Sequence, residues 1–263
     1  IISDDSMIQE IERTKDSLNK QSYLKYEVFV GDGMDLPDLI DKVNGEFVVF
    51  VEAGDFLSPD TLFEIVRAIV YPEKVKQSGV HWENNNTDAD IIYSDEDSIS
   101  SEGSSFCKPY FKPDFNIDLL RNHNYIEHVI AVRTSVAKQV KCSWGYDFVL
   151  RSVERSNKII HIPKVLYHAL DKEKLKDESN ALEDHLQRCG LKGKILLDGE
   201  CAGRQKYRVF YDRTYVDKSQ PLVSIIIPNK DEESALKKCL DSIQNSSYTN
   251  FEVIIVENNS VTE

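Results

Sequence analysis

Basic stretches, paired cysteines and long apolar runs are all missing from this sequence, and each absence narrows what the chain can be. Lysine and arginine number 32 against 45 aspartates and glutamates, a net charge of −13. A chain this acidic, with a pI near 5.0, lacks the basic surface that displaces counterions from nucleic acid, so no nucleic-acid partner is expected. An anionic ligand then needs a metal or local basic groups. The five cysteines, Cys107, Cys142, Cys189, Cys201 and Cys239, are odd in number and never spaced C-x-x-C. Neither a zinc cluster nor a disulfide framework is indicated, and a reducing cytosol fits best. No stretch is apolar for long enough to span a bilayer, and none reads as a secretory signal. The first residue, Ile1, falls in what reads as a strand, so the expectation is a piece of a longer polypeptide. What is present is a globular composition: 41% hydrophobic over 263 residues, enough for one large domain or one domain plus part of another.

The stretch that organises the chain runs from Asn44 to Val70. Phe47 to Val51 is an unbroken β-branched and aromatic run, the pattern of a strand buried on both faces of a parallel sheet. Glu52, Ala53, Gly54 and Asp55 follow at its carboxyl end, the edge where open α/β sheets bind ligands. A helix is expected next, with Ser58 as N-cap, Pro59 in its first turn, and Leu62, Phe63, Ile65, Val66, Ile69 and Val70 as its apolar stripe. Strand, acidic tip and amphipathic helix together suggest a divalent-cation site for a phosphorylated ligand.

A repeat is the second strong signal. Ile1 to Gly33 lies over Ile226 to Asn258 without a gap at an offset of 225. Ile1, Ile2, Asp16, Ser17, Ser22, Tyr23, Glu27 and Val28 recur as Ile226, Ile227, Asp241, Ser242, Ser247, Tyr248, Glu252 and Val253. Repeats this far apart mean duplicated domains rather than a solenoid. Each copy reads strand, helix, strand; in the second, Leu222 to Ile227 is the first strand, Pro228 ends it, Ser234 to Gln244 is the helix and Phe251 to Val256 the return strand. After the first copy only a turn or two of helix, Leu36 to Val43, precedes the acidic strand.

Further along, Trp82 to Asp88 reads as a surface loop, and Asp90 to Tyr93 as a strand ending in Ser94-Asp95-Glu96-Asp97. Glu127 to Arg133 and Thr134 to Val140 read as strand and short helix. Asp171 to about Gly190 is charged and helical in pattern, and Lys194 to Leu197 with Tyr207 to Tyr211 looks like a small hairpin. This divides the chain into 1–170, a connector 171–220, and 221–263.

These segments resemble those of family 2 glycosyltransferases. NGEFVVFVEAGD resembles the family's Asp-x-Asp segment; PLVSIIIPNKD and YTNFEVIIVENNS resemble the family's start; YSDED, FKPD and NYI resemble segments of tandem enzymes that build bacterial surface glycans. IIHIPKVLYH and GYDFVLR complete the likeness, which covers nearly the whole chain. The resemblance implies an α/β GT-A fold, a Rossmann-like, mostly parallel sheet flanked by helices, followed by a connector and a partial second β-α-β unit. It implies a nucleotide-sugar donor, a glycan acceptor and Mn2+ or Mg2+, in the cytoplasm and, in a longer protein, at a membrane. Carried over residue by residue, it gives Asp32 and Glu257 a nucleotide contact, Glu52, Asp55 and His168 the metal, and Asp95, Glu96 and Asp97 a place facing the acceptor. Gly54 stands where the second metal acid belongs and Gly145 where the base belongs, so the resemblance leaves Asp147, which matches the second Asp of that segment, as the candidate catalytic base if the shortened loop before it moves the backbone. A weakened or inactive first domain, serving as scaffold or as a surface holding acceptor or partner, is therefore the alternative. The strand edges of 221–263 are expected to pair with another copy.

Plainer readings stand beside these. Asp55 can cap the following helix; Asp95, Glu96 and Asp97 can form a solvated turn, though adjacent carboxylates repel unless a cation or base is near. His168 can be a hydrogen-bonded core histidine, and Asp147 can pair with Arg151 across one helical turn. Lys108, Lys112 and Arg121 read as surface groups.

Overall fold

The computed structural model describes residues 1–2, 7–31, 34–71, 89–100, 105–128, 130–170, 176–212 and 221–261. The expected loop at 82–88 and Asp32 lie outside them. The chain divides into two units, Ile1–Phe210 and Tyr211–Glu263, and each is described alone.

In the first unit the β-branched run becomes strand β1 (Phe47–Val49), held on both sides. On one side strand β5 (Ile130–Arg133) runs antiparallel to it, Val48 opposite Val132. On the other, Ile2 bridges to Glu52 in parallel, its N–H donating to Val51 O at 2.8 Å and its carbonyl accepting from Ala53 N at 2.9 Å. The remaining strands are β2 (Phe56–Leu57), β3 (Ile91–Ile99), β4 (Phe106–Tyr110) and β6 (Ile159–Leu170). They assemble in the order β1-β5-β3-β6-β2, with β4 added to β3.

Among the described residues of the first unit only β3 and β6 form a parallel ladder; β1 with β5, β5 with β3, β3 with β4 and β2 with β6 run antiparallel. The α/β class holds, while the expected mostly parallel sheet does not among the described residues. An apolar run reports that both faces are covered, and antiparallel neighbours covered by helices satisfy it equally.

Alternation along the strands sorts the side chains into two layers. Ile91 and Tyr93 of β3 and Ile130 and Val132 of β5 pack with Leu120 of helix α4 (Ile117–Asn122), Phe148 of α6 (Tyr146–Glu154) and Leu182 of α7 (Ser179–Arg188). Ile92 and Ala131 face the other way, onto Leu18 of α1 (Ile8–Leu18) and Leu62, Ile65 and Ala68 of α3 (Thr61–Val70). Fully burying one such aliphatic side chain contributes about 1.5–3 kcal/mol. Two short helices, α2 (Leu36–Asp41) and α5 (Thr134–Ala137), complete this part.

Helix α3 starts at Thr61, not at Ser58 and Pro59. Its cap comes from elsewhere: Gln21 Oε1 accepts from Leu62 N at 3.0 Å while Gln21 Nε2 donates to Ser58 O at 2.8 Å. The Ser58 hydroxyl is drawn instead to His168 Nε2, 2.9 Å away. Residues 23–30 carry no strand, and among the described residues the first repeat shows a bridge from Ile2 to Gly31. Where the chain between Gly33 and Gly45 is short, an apolar cleft of about 440 Å³ opens, lined by Leu18, Phe29, Leu36, Ile40, Val49 and Leu62 among others. Among the described residues none of the candidate acids lines it.

The hairpin β7 (Gly193–Cys201) and β8 (Arg204–Tyr211) forms its own two-stranded sheet. Ala202 and Gly203 both have left-handed φ, 50° and 76°, as a two-residue type I′ turn requires. In the second unit β9 (Val223–Asn229) pairs in parallel with β10 (Phe251–Glu257) across α8 (Glu233–Gln244). Pro228 does not end β9, which continues to Asn229; β9 pairs with one neighbour only, and an edge strand tolerates the missing N–H. Among the described residues no helix is long and apolar enough to cross a membrane.

Candidate functional site

The turn after β1 is fixed by α1 through hydroxyls rather than apolar side chains. Thr14 Oγ1 accepts from Gly54 N at 2.9 Å and donates to Asp55 O at 2.9 Å, while Ser17 Oγ accepts from Leu57 N at 3.2 Å. Gly54 takes a φ of 96°, and a Cβ there would meet Leu170 Cδ2 at 3.3 Å. An acid at this position would be strained. Asp55 points inward: Tyr167 Oη donates to its Oδ2 at 2.5 Å and Leu170 N to its Oδ1 at 2.8 Å. Burial pushes its carboxyl up, against the pull of His128 and Tyr167.

His168 lies apart from Glu52. Its Nδ1 is 2.5 Å from Asp97 Oδ1 and its Nε2 meets Ser58. Of the three residues that the resemblance gives the metal, the structure leaves Glu52 with different company. Its carboxylate gathers with those of Glu127 and the imidazole of His128, ligand atoms all within 4.8 Å of one another. Tyr167 anchors both parts of this group: its hydroxyl accepts from Glu52 N at 3.2 Å and its ring stacks on His128, centroids 5.0 Å apart and planes 3° from parallel.

The acidic run 95–97 lies inside β3, which continues to Ile99, so it is no solvated turn. Asp95 is 4% and Glu96 5% exposed, and each finds the base or cation that burial of a charge demands. Asp95 Oδ1 pairs with His161 Nε2 at 2.8 Å. Glu96 Oε2 meets Lys112 Nζ at 2.7 Å and His128 Nδ1 at 3.1 Å, and Glu96 Oε1 meets Arg204 Nη2. Burial opposes ionisation of Glu96, yet Lys112, His128 and Arg204 hold its carboxyl well below the ordinary range. Lys112, expected at the surface, is 5% exposed. Burial lowers its ammonium and disfavours charge on His128, but Glu96 outweighs that on the histidine and raises it.

Asp147, in the first turn of α6, is taken by arginines: Arg151 Nε lies 2.7 Å from Oδ2 and Arg188 Nη2 3.2 Å from Oδ1. The pairing with Arg151 read from the spacing is present. Beside it, Gly145 takes a φ of 140° and Glu178 Oε1 accepts from Tyr146 N at 3.1 Å. Burial, with Glu127 and Glu52 nearby, pushes the Glu178 carboxyl up. A second metal-capable group, Glu154, His185 and Cys189, is already engaged. Arg188 Nε donates to Glu154 Oε2 at 2.8 Å and Arg121 Nε to His185 Nε2 at 3.2 Å.

In the second unit Glu257 closes β10. Asn229 Nδ2 donates to its Oε2 at 3.0 Å and Ser260 N to its Oε1 at 3.1 Å, with the Ser260 hydroxyl adding a further bond. Those bonds, Ser260's first, lower its carboxyl.

Glu127, His128 and Glu178 are the residues that sequence reasoning passed over. Their partner Glu52 lies 76 residues from His128 along the chain, and no local spacing signals such a meeting. The one available hint was that Glu127 and His128 directly follow Asn124-Tyr125-Ile126.

Comparison with known proteins adds four findings. Residues 224–263 match the Glycosyl transferase family 2 model. The chain is 33% identical over 244 residues to the uncharacterised protein y4gI of Sinorhizobium fredii, covering 84% of this chain and 24% of that protein. It is 31% identical over 236 residues to the O-antigen biosynthesis protein RfbC of Myxococcus xanthus, covering 82% of this chain and 17% of RfbC. The chain thus spans about a quarter or less of these relatives' length. Among solved structures it is similar to S. aureus TarS at a TM-score of 0.45 and 16% identity, over 71% of this chain and 38% of TarS, a likeness too distant to bear on the site.

Proposed function

We propose, from the premise that this chain belongs to glycosyl transferase family 2 by its segment 224–263, that it serves in moving a sugar from a nucleoside-diphosphate donor to a bacterial surface glycan. The name of the M. xanthus relative supports that acceptor class. The observation that carries the reading is the convergence of Glu52, Glu127 and His128 at the end of the strand segment 47–51. Among the described residues nothing hydrogen-bonds to the Glu52 carboxylate, and His128 Nδ1 lies 3.1 Å from Glu96 Oε2. A carboxylate behind the imidazole fixes its tautomer, as behind many metal-binding histidines. Two carboxylates and an imidazole fit Mn2+ better than Mg2+, which prefers oxygen alone. When bound, such a cation neutralises the departing diphosphate.

The rest falls to the chain's own groups. Glu257, held by Asn229 and Ser260, is the proposed nucleotide contact of the second unit, with Asp32 its counterpart in the first. Asp95, Glu96 and Asp97 support the acceptor side through their buried partners. We place this work in the cytoplasm, with a longer protein at the membrane. Copies pair through 221–263, where Ile226 is 64% and Ile254 44% exposed; a clean monomer by light scattering at high concentration would count against that pairing.

A second reading, a first unit without catalysis, is favoured by Gly54 and Gly145 standing in left-handed backbone where the resemblance expects acids. Calorimetric titration with UDP, dTDP and GDP, with and without Mn2+, separates the two. Metal-dependent binding of one nucleotide that disappears in Glu52→Ala supports a donor site in the first unit. Binding of none supports the scaffold.

A further inference from the structure

The backbone position that lacks a carboxylate has one delivered to it from another segment. A Cβ built on Gly145 would lie 3.2 Å from Glu178 Oε1, so the glutamate occupies the space that a side chain at 145 would enter. Glu178 arrives there just ahead of α7, and its position is held at two points. Its N–H donates to Tyr207 Oη at 2.6 Å, and its Oε1 accepts from Tyr146 N at 3.1 Å. Tyr207 is itself 2% exposed. Glu127 and Glu52 both act on this carboxylate electrostatically, so it lies within reach of their charge. Lys176 is the cation that acts on it in the opposite sense. Asp147 is unsuited to the same task because two arginines hold it.

We propose that Glu178 is the general base of the first unit, replacing the carboxylate missing at Gly145; the inference rests on the glycosyl-transfer reading above. In the step, a Glu178 oxygen takes the proton of the acceptor hydroxyl as that hydroxyl's oxygen bonds to the anomeric carbon of the donor. The bond from the anomeric carbon to the diphosphate oxygen breaks, and its electron pair leaves with the nucleoside diphosphate. Glu178 ends protonated, and the negative charge it gave up appears on the diphosphate.

The same carboxylate also caps α6, whose N-cap, Gly145, has no side chain to do so. Glu178→Gln separates the two roles, since glutamine keeps an oxygen for Tyr146 N and loses the base. The test measures nucleoside-diphosphate release from UDP-glucose, dTDP-glucose and GDP-mannose with Mn2+ and water as acceptor. Removing a general base lowers kcat by about 10² to 10⁴. Glu178→Gln is expected to show that loss with an unchanged donor KM and no loss of stability, and to lose the acidic limb of the pH profile. Glu178→Asp is expected to be slower than the wild type but to keep that limb. Turnover in Glu178→Gln within threefold of wild type overturns the proposal, as does a wild type that binds UDP, dTDP or GDP and turns over none of the three sugars. Absence of nucleotide binding in calorimetry overturns the glycosyl-transfer reading, and this inference falls with it.

Discussion

The two copies of the repeat begin from one sequence frame and end as different objects. Helix α1 begins at Ile8 and α8 at Glu233, the same place at the offset of 225. In the second copy seven residue pairs, Val223 with Phe251 through Asn229 with Glu257, form a regular parallel ladder, yet α8 has no buried residue. In the first copy the described residues show one bridge, Ile2 with Gly31, and Thr14, Ser17 and Leu18 of α1 are buried. Burial therefore follows what the rest of the chain supplies, not the shared sequence frame. The first copy holds the 52–57 turn through Thr14 and Ser17; the second presents Glu257 at the tip of its ladder.

The comparison sharpens most where the first unit depends on buried charge. Glu96→Ala leaves Lys112, Arg204 and His128 together without their shared anion, and stripping one partner from a buried ionic group costs about 3–5 kcal/mol. Urea denaturation of the chain should show that loss; a change below about 1 kcal/mol would mean the cluster holds nothing together. Next come the repeat counterparts Leu18 and Ile243. Leu18 is 7% exposed, so Leu18→Ala is expected to cost about 2–5 kcal/mol, and Ile243→Ala on the unburied helix less than about 1 kcal/mol. Equal losses would erase the distinction between the copies.

Restoring the acids comes third. Gly54→Asp and Gly145→Asp force a side chain into left-handed backbone, which costs about 1–3 kcal/mol each, and Gly145→Asp also drives a carboxylate toward Glu178. Both are expected to lower stability without raising donor turnover; a gain in turnover from either would return the base or metal role to its family position. The smallest effect is a pH slope. The Glu178 carboxyl is raised in the fold, so its contribution is fully present below the ordinary carboxylate pKa, about 4.3, and is lost as pH rises through the raised value. Glu178→Gln should therefore gain stability relative to wild type between pH 5 and 8, and parallel denaturation profiles would contradict this. Glu96 runs the other way: its lowered carboxyl contributes above the ordinary value and is lost only in stronger acid.

Much of the fold could be read from the chain. The periodicity of Thr61 to Val70, the β-α-β of 223–257 and the hairpin near 193–211 follow from residues close in sequence. Strand direction could not, because two-faced burial says nothing about it, and Ser58 fell outside α3 because β6 claims its hydroxyl. The site was less legible still. Asp95 and Glu96 read as a turn because the groups that neutralise them are distant, Arg204 lying 108 residues from Glu96. Glu52 stood out at its strand end, but its companions Glu127 and His128, and Glu178 beside Gly145, meet it only through the tertiary fold.

Glu52, Glu127 and His128 form the proposed cation site of the first unit. Electron paramagnetic resonance of the chain titrated with Mn2+ tests it most directly. One bound Mn2+ per chain, weakening as pH falls because His128 must give up its proton, and lost in Glu52→Gln with His128→Ala, is the result predicted. Mn2+ binding unchanged in that double variant, or none in the wild type, would contradict it.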